Sequence, residues 1–497
     1  MQQEASMKIL MISSEAVPFA KTGGLADAVS ALAIQLSKMG HDVKIVMPRY
    51  YKIDRKKLTL VEGPLAVHIA NGEAWTGVYT TKMPGCGTLP VYFIDYEACF
   101  GRDGIYGTAQ ETDFHDNPYR FSMLCHCSFE LCKKLNWIPD IVHANDWSSA
   151  LVPVLLKHVY RYQEFEHTAS VMTIHNLGYQ GQYAKDKYPD LGIDWGLYYG
   201  ANIEHEGGLN FLQGGISSAD MITTVSPTYA REIQTREGGF GMDGLLRQRS
   251  SCIAGILNGV DTDQWQPSKD KLIPYQFSVK EMSGKKKCKA ELQKRLGLEV
   301  NDAIPIVGMV TRLVEQKGIA EVFAPLYGSL YQMCTEMNVQ FAILGSGEKW
   351  CENEINTLQS KLNNMRAYIG YDEKLSHLIE AGSDFFLMPS HYEPCGLNQI
   401  YSMVYGTLPI VRRTGGLADT VENYNQEKGT GTGFCFDDIS PRAIHDTVGW
   451  AVWAYYNKKN DIAKMQRRGM MSNFGWDIAA NRYIEVYKEA LRRGCNL

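Results

Sequence analysis

Residues 8–47 read KILMISSEAVPFAKTGGLADAVSALAIQLSKMGHDVKIVM, and this stretch decides the fold. Lys8 to Ile12 is a short apolar run of the kind that fills a buried parallel strand. A loop, AVPFAKTGG, follows it. Leu25, Val29, Leu32, Leu36 and Met39 then recur at helical spacing, and Gly40 suits the helix end. Val43 to Met47 is a second apolar run, stopped by Pro48. The unit is strand, helix, strand. The pattern continues in IVHAND (141–146), SVMTIHN (170–176) and MITTVS (221–226), each an apolar run ending in small or polar residues. Ile306–Thr311, Phe341–Leu344, Asp384–Met388 and Leu408–Val411 repeat it in the second half. The expected class is α/β, with parallel sheets whose strand ends feed functional loops.

The halves are separated by GILNGVDTDQWQPSKDKLIPYQF, 255–277, which carries two Gly, two Pro and little periodicity. The expected domains are 1–256 and 257–474, with a terminal segment at 475–497. The lysines at 285–287 read as a solvated face.

Composition narrows the function classes. The chain has 497 residues, 45% hydrophobic and 21% charged, enough apolar material for large cores. Fifty Lys and Arg against 55 Asp and Glu give a net charge of −5, so bulk attraction to nucleic acid is not expected. A local basic site for a small anion is allowed. Twelve cysteines include no C-x-x-C pair, which argues against a zinc ribbon or a dithiol centre. The N-terminus lacks the pattern of a secretory leader, and Met7 offers an alternative start. No apolar run approaches the ~20 residues of a membrane span. A cytoplasmic location without membrane partners is expected.

One hexapeptide occurs twice. Thr22-Gly-Gly-Leu-Ala-Asp27 recurs as Thr414-Gly-Gly-Leu-Ala-Asp419, preceded by Lys21 and Arg413 respectively. Each copy follows a strand and opens a helix. Glycines at a helix start let an anion reach free N–H groups and the positive dipole end. A tight turn alone would explain one copy, but the duplicated context favours a functional role. A second basic site is TRLVEQKG, 311–318, where Arg312 and Lys317 lie just past a strand and can either clamp a diphosphate or stand as two solvated surface charges, the commoner outcome for such a pair by itself. A third stretch is DFFLMPSHYEPCGLNQIYSM, 384–403. Pro394 there suits a helix start, with Cys395, Gly396 and Leu397 supplying its free N–H groups. Glu393 in front of it reads as a carboxylate for sugar hydroxyls.

These pieces resemble one family. KTGGLAD, LNGVD (257–261), TRLVEQKG, SHYEPCGL, RRTGGLAD and the terminal FGWDIAANRYIEVY are similar, in order and spacing, to bacterial glycogen synthases and plant starch synthases. The resemblance implies the GT-B fold, two Rossmann-like domains facing across a cleft. It implies transfer of glucose from ADP-glucose to the non-reducing end of an α-1,4-glucan, with retention and without a metal or other cofactor. Residues 475–497 would be a helix returning to the first domain.

It also implies roles. Lys21, His175, Arg312, Lys317 and Glu393 would be the catalytic set. Gly23, Gly24, Asp27, Asn176, Asn258, Tyr371, Cys395, Gly396, Leu397, Thr414, Gly415 and Gly416 would join them around ADP-glucose, with Tyr371 against the base. Asp146 and Trp147 would lie on the glucan side. Ser148 and Ser149 depart from the family's usual histidine and alanine there, which leaves acceptor geometry open.

The charges also support this chemistry by themselves. Arg312, Lys317 and Lys21 place positive potential where a departing diphosphate gains charge. No motif supplies an obvious far-face nucleophile for a double displacement. A front-face route therefore fits better. Three rivals weaken on inspection. A nicotinamide oxidoreductase needs G-x-G-x-x-G after a first strand, and GSGEKW (345–350) has Trp350 in place of the last glycine. A decayed glucan-binding relative would have lost Lys21, Arg312, Lys317 or Glu393. Phosphorylase motifs are not matched. Choice between ADP-glucose and UDP-glucose stays open on residue chemistry.

Overall fold

The computed structural model describes residues 6–494, apart from 71, 109, 163 and 262–264. Met1 and Cys495 lie outside the described residues. The chain divides into two compact units: Met1–Gly259 with Trp476–Leu497, and Val260–Gly475. The changeover falls three residues later than the sequence suggested. Val260 already belongs to the second unit because its N–H donates to Phe474 O at 2.8 Å.

In the first unit the described residues form a ten-stranded sheet. Its order from one edge is 253–255, 221–224, 169–174, 141–145, 8–12, 42–48, 86–95, 72–83 and 59–60, with 65–69 paired to 72–83. The strands from 253–255 through 86–95 are parallel. Every residue of Ile141–Asn145 and Ala169–Ile174 is buried. Strands covered on both faces have no polar alternation, which is why they read as unbroken apolar runs. The 59–95 region went unread in the sequence. Gly72–Met83 mixes exposed and buried positions as an antiparallel ribbon, and gives no continuous apolar signal.

Helix Gly24–Lys38 buries Leu25, Val29, Leu32 and Leu36, the stripe expected from their spacing. The terminal helix Trp476–Gly494 packs within the same unit and buries Ala479, Ala480, Tyr483, Val486 and Tyr487. Tyr487 Oη lies 2.9 Å from Nδ1 of the buried His143, tying this helix to strand Ile141–Asn145.

The second unit has six parallel strands, in the order 365–369, 340–347, 306–313, 385–388, 408–412 and 434–436. Val307, Phe341 and Phe385 pack into one core, and Ile306, Ala342 and Phe386 into another. Neighbours along each strand therefore serve opposite faces, as the two-residue strand period requires. The solvated reading of Lys285 is corrected here. It is buried on helix Ser283–Leu296, where its ammonium donates to Ala381 O at 3.1 Å and Thr407 Oγ1 at 2.7 Å. Burial lowers its pKa to about 8.

Candidate active site

In both units the expected site residues follow the carboxyl ends of parallel strands, where open α/β sheets bind ligands. In the first unit, Lys21 and the exposed Thr22–Gly24 lie between strand Lys8–Ile12 and helix Gly24–Lys38. Gly23 caps that helix without a side-chain bond of its own. The buried Glu15 acts instead. Its carboxylate accepts the Thr22 N–H, the Gly23 N–H at 3.4 Å and the Thr22 hydroxyl at 2.7 Å. It also accepts the Tyr106 hydroxyl at 2.7 Å. Nothing would meet a Cβ within 4 Å at Gly23 or Gly24. The loop is thus braced from beneath and open above. Lys21 reaches Asp27 at 2.7 Å, with its side chain 52% exposed.

Strand Ile141–Asn145 delivers Asp146, whose backbone sits at φ 57°. A left-handed conformation at a non-glycine residue is strained, and here it directs a carboxylate. Asp146 Oδ1 accepts the N–H of His175 at 2.7 Å and of Asn176 at 3.3 Å. Burial nonetheless pushes the Asp146 carboxyl up to about 7. Asn145 donates its amide to Ile12 O and His143 O, both at 3.2 Å, which leaves Oδ1 facing His175 Nε2 at 3.1 Å. Nε2 is therefore the protonated nitrogen of the imidazole. Burial holds the His175 pKa down to about 3, so the ring is neutral at pH 7.

Trp147 does not project as a surface platform. It is buried edge-on against Phe121 at 4.9 Å and Phe211 at 6.3 Å. Ser148 is buried as well and donates to Ser14 Oγ at 2.8 Å. The two serines serve packing of the 13–15 and 145–149 turns, for Ser149 Oγ accepts the Asn145 N–H at 2.6 Å. Asn258 is buried, and its Oδ1 has no partner among the described residues.

In the second unit, Arg312, Lys317, Glu393, Gly396 and Leu397 line one cavity of about 160 Å³. Arg312 is exposed near the end of strand Ile306–Leu313. Lys317 Nζ lies 2.5 Å from Glu393 Oε2, which also accepts the Ser390 hydroxyl at 3.0 Å. Gln316 and Asn398 stitch the surrounding turns, donating to Tyr392 O at 3.2 Å and Val310 O at 2.7 Å. Tyr371 is 84% exposed, a free aromatic face.

Two expectations about N–H donors are corrected. The helix after Glu393 begins at Asn398, not Pro394, because Gly396 takes φ 69° and interrupts helical geometry. Cys395, Gly396 and Leu397 precede it. The second hexapeptide copy also differs from its forecast. Gly416 N–H donates to Glu393 O at 3.0 Å, so it is not offered to an anion. A Cβ at Gly415 would fall 1.9 Å from Glu393 O, and one at Gly416 2.0 Å from Cys395 O. Gly415, Gly416 and Thr414 form a buried wall behind the Glu393 loop.

Glu15, Asn145 and Ser390 were not legible as site residues. Each acts through a partner brought near by folding or by a turn, and although Ser390 and Asn145 lie inside quoted stretches, neither was assigned a role there. Among the described residues no group of three or more His, Cys, Asp or Glu could hold a metal.

This arrangement places fixed cations, a carboxylate and an exposed glycine turn on the carboxyl edges of two Rossmann-like units, and it defines a glycosyltransferase of the GT-B class. Residues 8–248 match the family described as "Starch synthase catalytic domain", and 292–467 match "Glycosyl transferases group 1". A glycogen synthase of Treponema denticola is 57% identical over 491 residues, covering 99% of this chain and 100% of that protein. Glycogen synthase 1 of Geobacter metallireducens is 43% identical, covering 98% of this chain and 97% of that protein. The structure of the catalytic domain of starch synthase IV from Arabidopsis thaliana, bound to ADP and acarbose, superposes with a TM-score of 0.88 at 31% identity. It covers 98% of this chain and 100% of that one. The chain belongs to the glycogen and starch synthase family.

Proposed function

We propose that the protein elongates α-1,4-glucans, transferring glucose from ADP-glucose to the non-reducing end with retention and releasing ADP. The observation that carries this reading is the Arg312, Lys317 and Glu393 cluster around one cavity at the carboxyl edge of the second sheet. Arg312 and Lys317 bind the diphosphate and stabilise the charge that grows as it departs. Glu393, buried beside Lys317, accepts hydroxyls of the donor glucose. Lys21, the Gly23–Gly24 turn, Asp27, His175, Asn176 and Asn258 are the donor-directed residues of the first unit, and Tyr371 stacks on the base of the nucleotide. Neutral His175, held at Nε2 by Asn145, is an uncharged polar partner for the sugar rather than a cationic acid. Asp146 and Trp147 serve the glucan side indirectly: Asp146 fixes the 175–176 backbone, and Trp147 anchors the turn. The leaving phosphate takes the acceptor hydroxyl proton on the face it vacates, so no carboxylate nucleophile is required.

The relative whose structure is bound to ADP and acarbose favours this reading. A cytoplasmic, metal-independent enzyme is part of the proposal, since fixed cations supply the electrostatic work a metal would do. Donor competition tests it. With a glycogen primer, labelled ADP-glucose is expected to be incorporated in preference to UDP-glucose. Preference for UDP-glucose, or no incorporation from either, would overturn the reading. Turnover in the presence of a chelator is expected to be unchanged.

A further inference from the structure

A second cavity lies in the first unit, lined by none of the residues assigned above to the candidate active site. It has a volume of about 440 Å³ and is lined by Lys157, Asp220, Arg249, Cys252, Arg492 and Arg493, among others. Its position follows from the topology. Asp220 and Cys252 immediately precede strands Met221–Thr224 and Ile253–Gly255. Arg492 and Arg493 close the terminal helix. The cavity therefore sits at the amino edge of the parallel sheet. His175 and Asn258 follow the opposite, carboxyl edge. A strand of six residues separates the two edges by roughly 20 Å.

The charge is local and one-sided. Four cations line the cavity against one carboxylate, Asp220. Arg161 lies 3.8 Å from Asp220, and Glu489 pairs with both Arg492 and Arg493. Counting these neighbours, five cations face two carboxylates. Three positive charges remain, in a chain whose net charge is −5. Several of the cations are held in place. Arg249 donates to Ser217 O at 2.8 Å and to Ala219 O, while Arg493 donates to Ser251 O at 3.0 Å. The Nε atoms of Arg249 and Arg161 are buried without a partner among the described residues. The Lys157 side chain makes no hydrogen bond or ion pair among the described residues.

We propose that this cavity binds a small soluble phosphoanion, a diphosphate or a phosphorylated sugar. Positioned guanidinium forks match phosphate oxygens, and a cavity of this volume suits a ligand of that size. The ligand would bridge the base of strand Ile253–Gly255 to the end of helix Trp476–Gly494. Those elements lead directly to Gly259 and Trp476, the two points where the chain passes between its units. The anion would join the foot of that strand to the end of that helix, at the ends of both elements opposite those crossings.

The test is calorimetric titration of inorganic pyrophosphate into the full chain, with ADP saturating the donor site. One-site binding is expected. Lys157→Gln and Arg492→Gln are each expected to weaken it about tenfold, the worth of one charge-assisted contact. Neither side chain is buried, so both variants should keep the wild-type unfolding midpoint and the wild-type turnover without pyrophosphate. Absence of pyrophosphate binding in the ADP-saturated wild type would overturn the proposal. So would equal affinity in wild type and both variants.

Discussion

Thr22–Asp27 and Thr414–Asp419 carry the same six residues to opposite ends. Thr22, Gly23 and Gly24 of the first copy are exposed, and its glycines have open space where a side chain would be. The second is buried, with Gly415 and Gly416 pressed against the carbonyls of Glu393 and Cys395. The first starts a helix of fifteen residues, the second one of six. The first is braced by a carboxylate from its own unit's core, Glu15, and leaves its upper face to a ligand. The second spends its Gly416 N–H on the backbone of the loop that presents Glu393. Identical sequence thus forms an open turn in one place and a buried support for the Glu393 loop in the other; on the proposed function, the first serves recognition. What surrounds the motif, not the motif, decides which.

The largest expected effect is on the second copy. Gly415→Ala and Gly416→Ala each force a methyl group into a backbone carbonyl, and should destabilise the second unit by about 4 kcal/mol or more, or prevent its folding. Gly24→Ala should leave stability unchanged or raise it by about 0.5–1 kcal/mol, since it relieves glycine's entropy in a helix. Urea unfolding of the three variants measures the contrast, and similar losses in all three would break it.

Next in size is the charge at the cavity that the second copy supports. Arg312→Ala and Lys317→Ala should each lower turnover about 10²–10³-fold while leaving the glucan Michaelis constant near wild type. Steady-state kinetics with varied primer decide this. A change confined to the glucan constant would remove the proposed role.

A smaller effect concerns acid. Burial lowers the pKa of His126, His143 and His175, to about 4, 3 and 3. Their contribution to stability is complete above the unfolded value near 6.5 and is lost as pH falls towards those folded values. Each costs about 2 kcal/mol at pH 5 if it stays neutral in the fold. Asp146, raised to about 7, works in the opposite sense: its contribution is present below about pH 4 and lost as pH rises through 7. The histidines outnumber it, so the unfolding midpoint of the first unit should fall between pH 7.5 and pH 5, whereas in the second unit burial raises Glu380 to about 8, which works the opposite way. All four groups lie in the unit of the first copy, so that unit should weaken first. Glu15→Gln should cost less again, about 1–2 kcal/mol, because it replaces charge-assisted bonds to Thr22 and Gly23 by neutral ones.

Much of the fold was legible. Strand Lys8–Ile12 appears as read, and eight other expected strands are found with ends displaced by at most three residues. Buried parallel strands have an unbroken apolar signature, and the helix stripe at Leu25–Leu36 has a clear period. The 59–95 ribbon was not legible because half-exposed antiparallel strands carry polar residues on one side. The reach of single side chains was also hidden. Lys285 looked solvated among lysines, yet its partners are 96 and 122 residues away. His175 was named by resemblance, but Asn145, which sets its tautomer, is 30 residues earlier and belongs to another strand. Sequence order does not report such distances.

The claim that the two copies have separate duties is tested most directly at the basic residue that precedes each. Lys21 is 52% exposed and paired to Asp27 at 2.7 Å, while Arg413 is 48% exposed and paired to Asp437 at 2.9 Å. Neither ion pair should contribute more than about 1 kcal/mol to stability. Glucose transfer from ADP-glucose to a maltooligosaccharide primer should be measured at saturating substrates for Lys21→Ala and Arg413→Ala. Lys21→Ala is expected to lose turnover at least tenfold with an unchanged unfolding midpoint, and Arg413→Ala to stay within about twofold of wild type. An equal loss in both variants, or a loss in Arg413→Ala alone, would contradict the account.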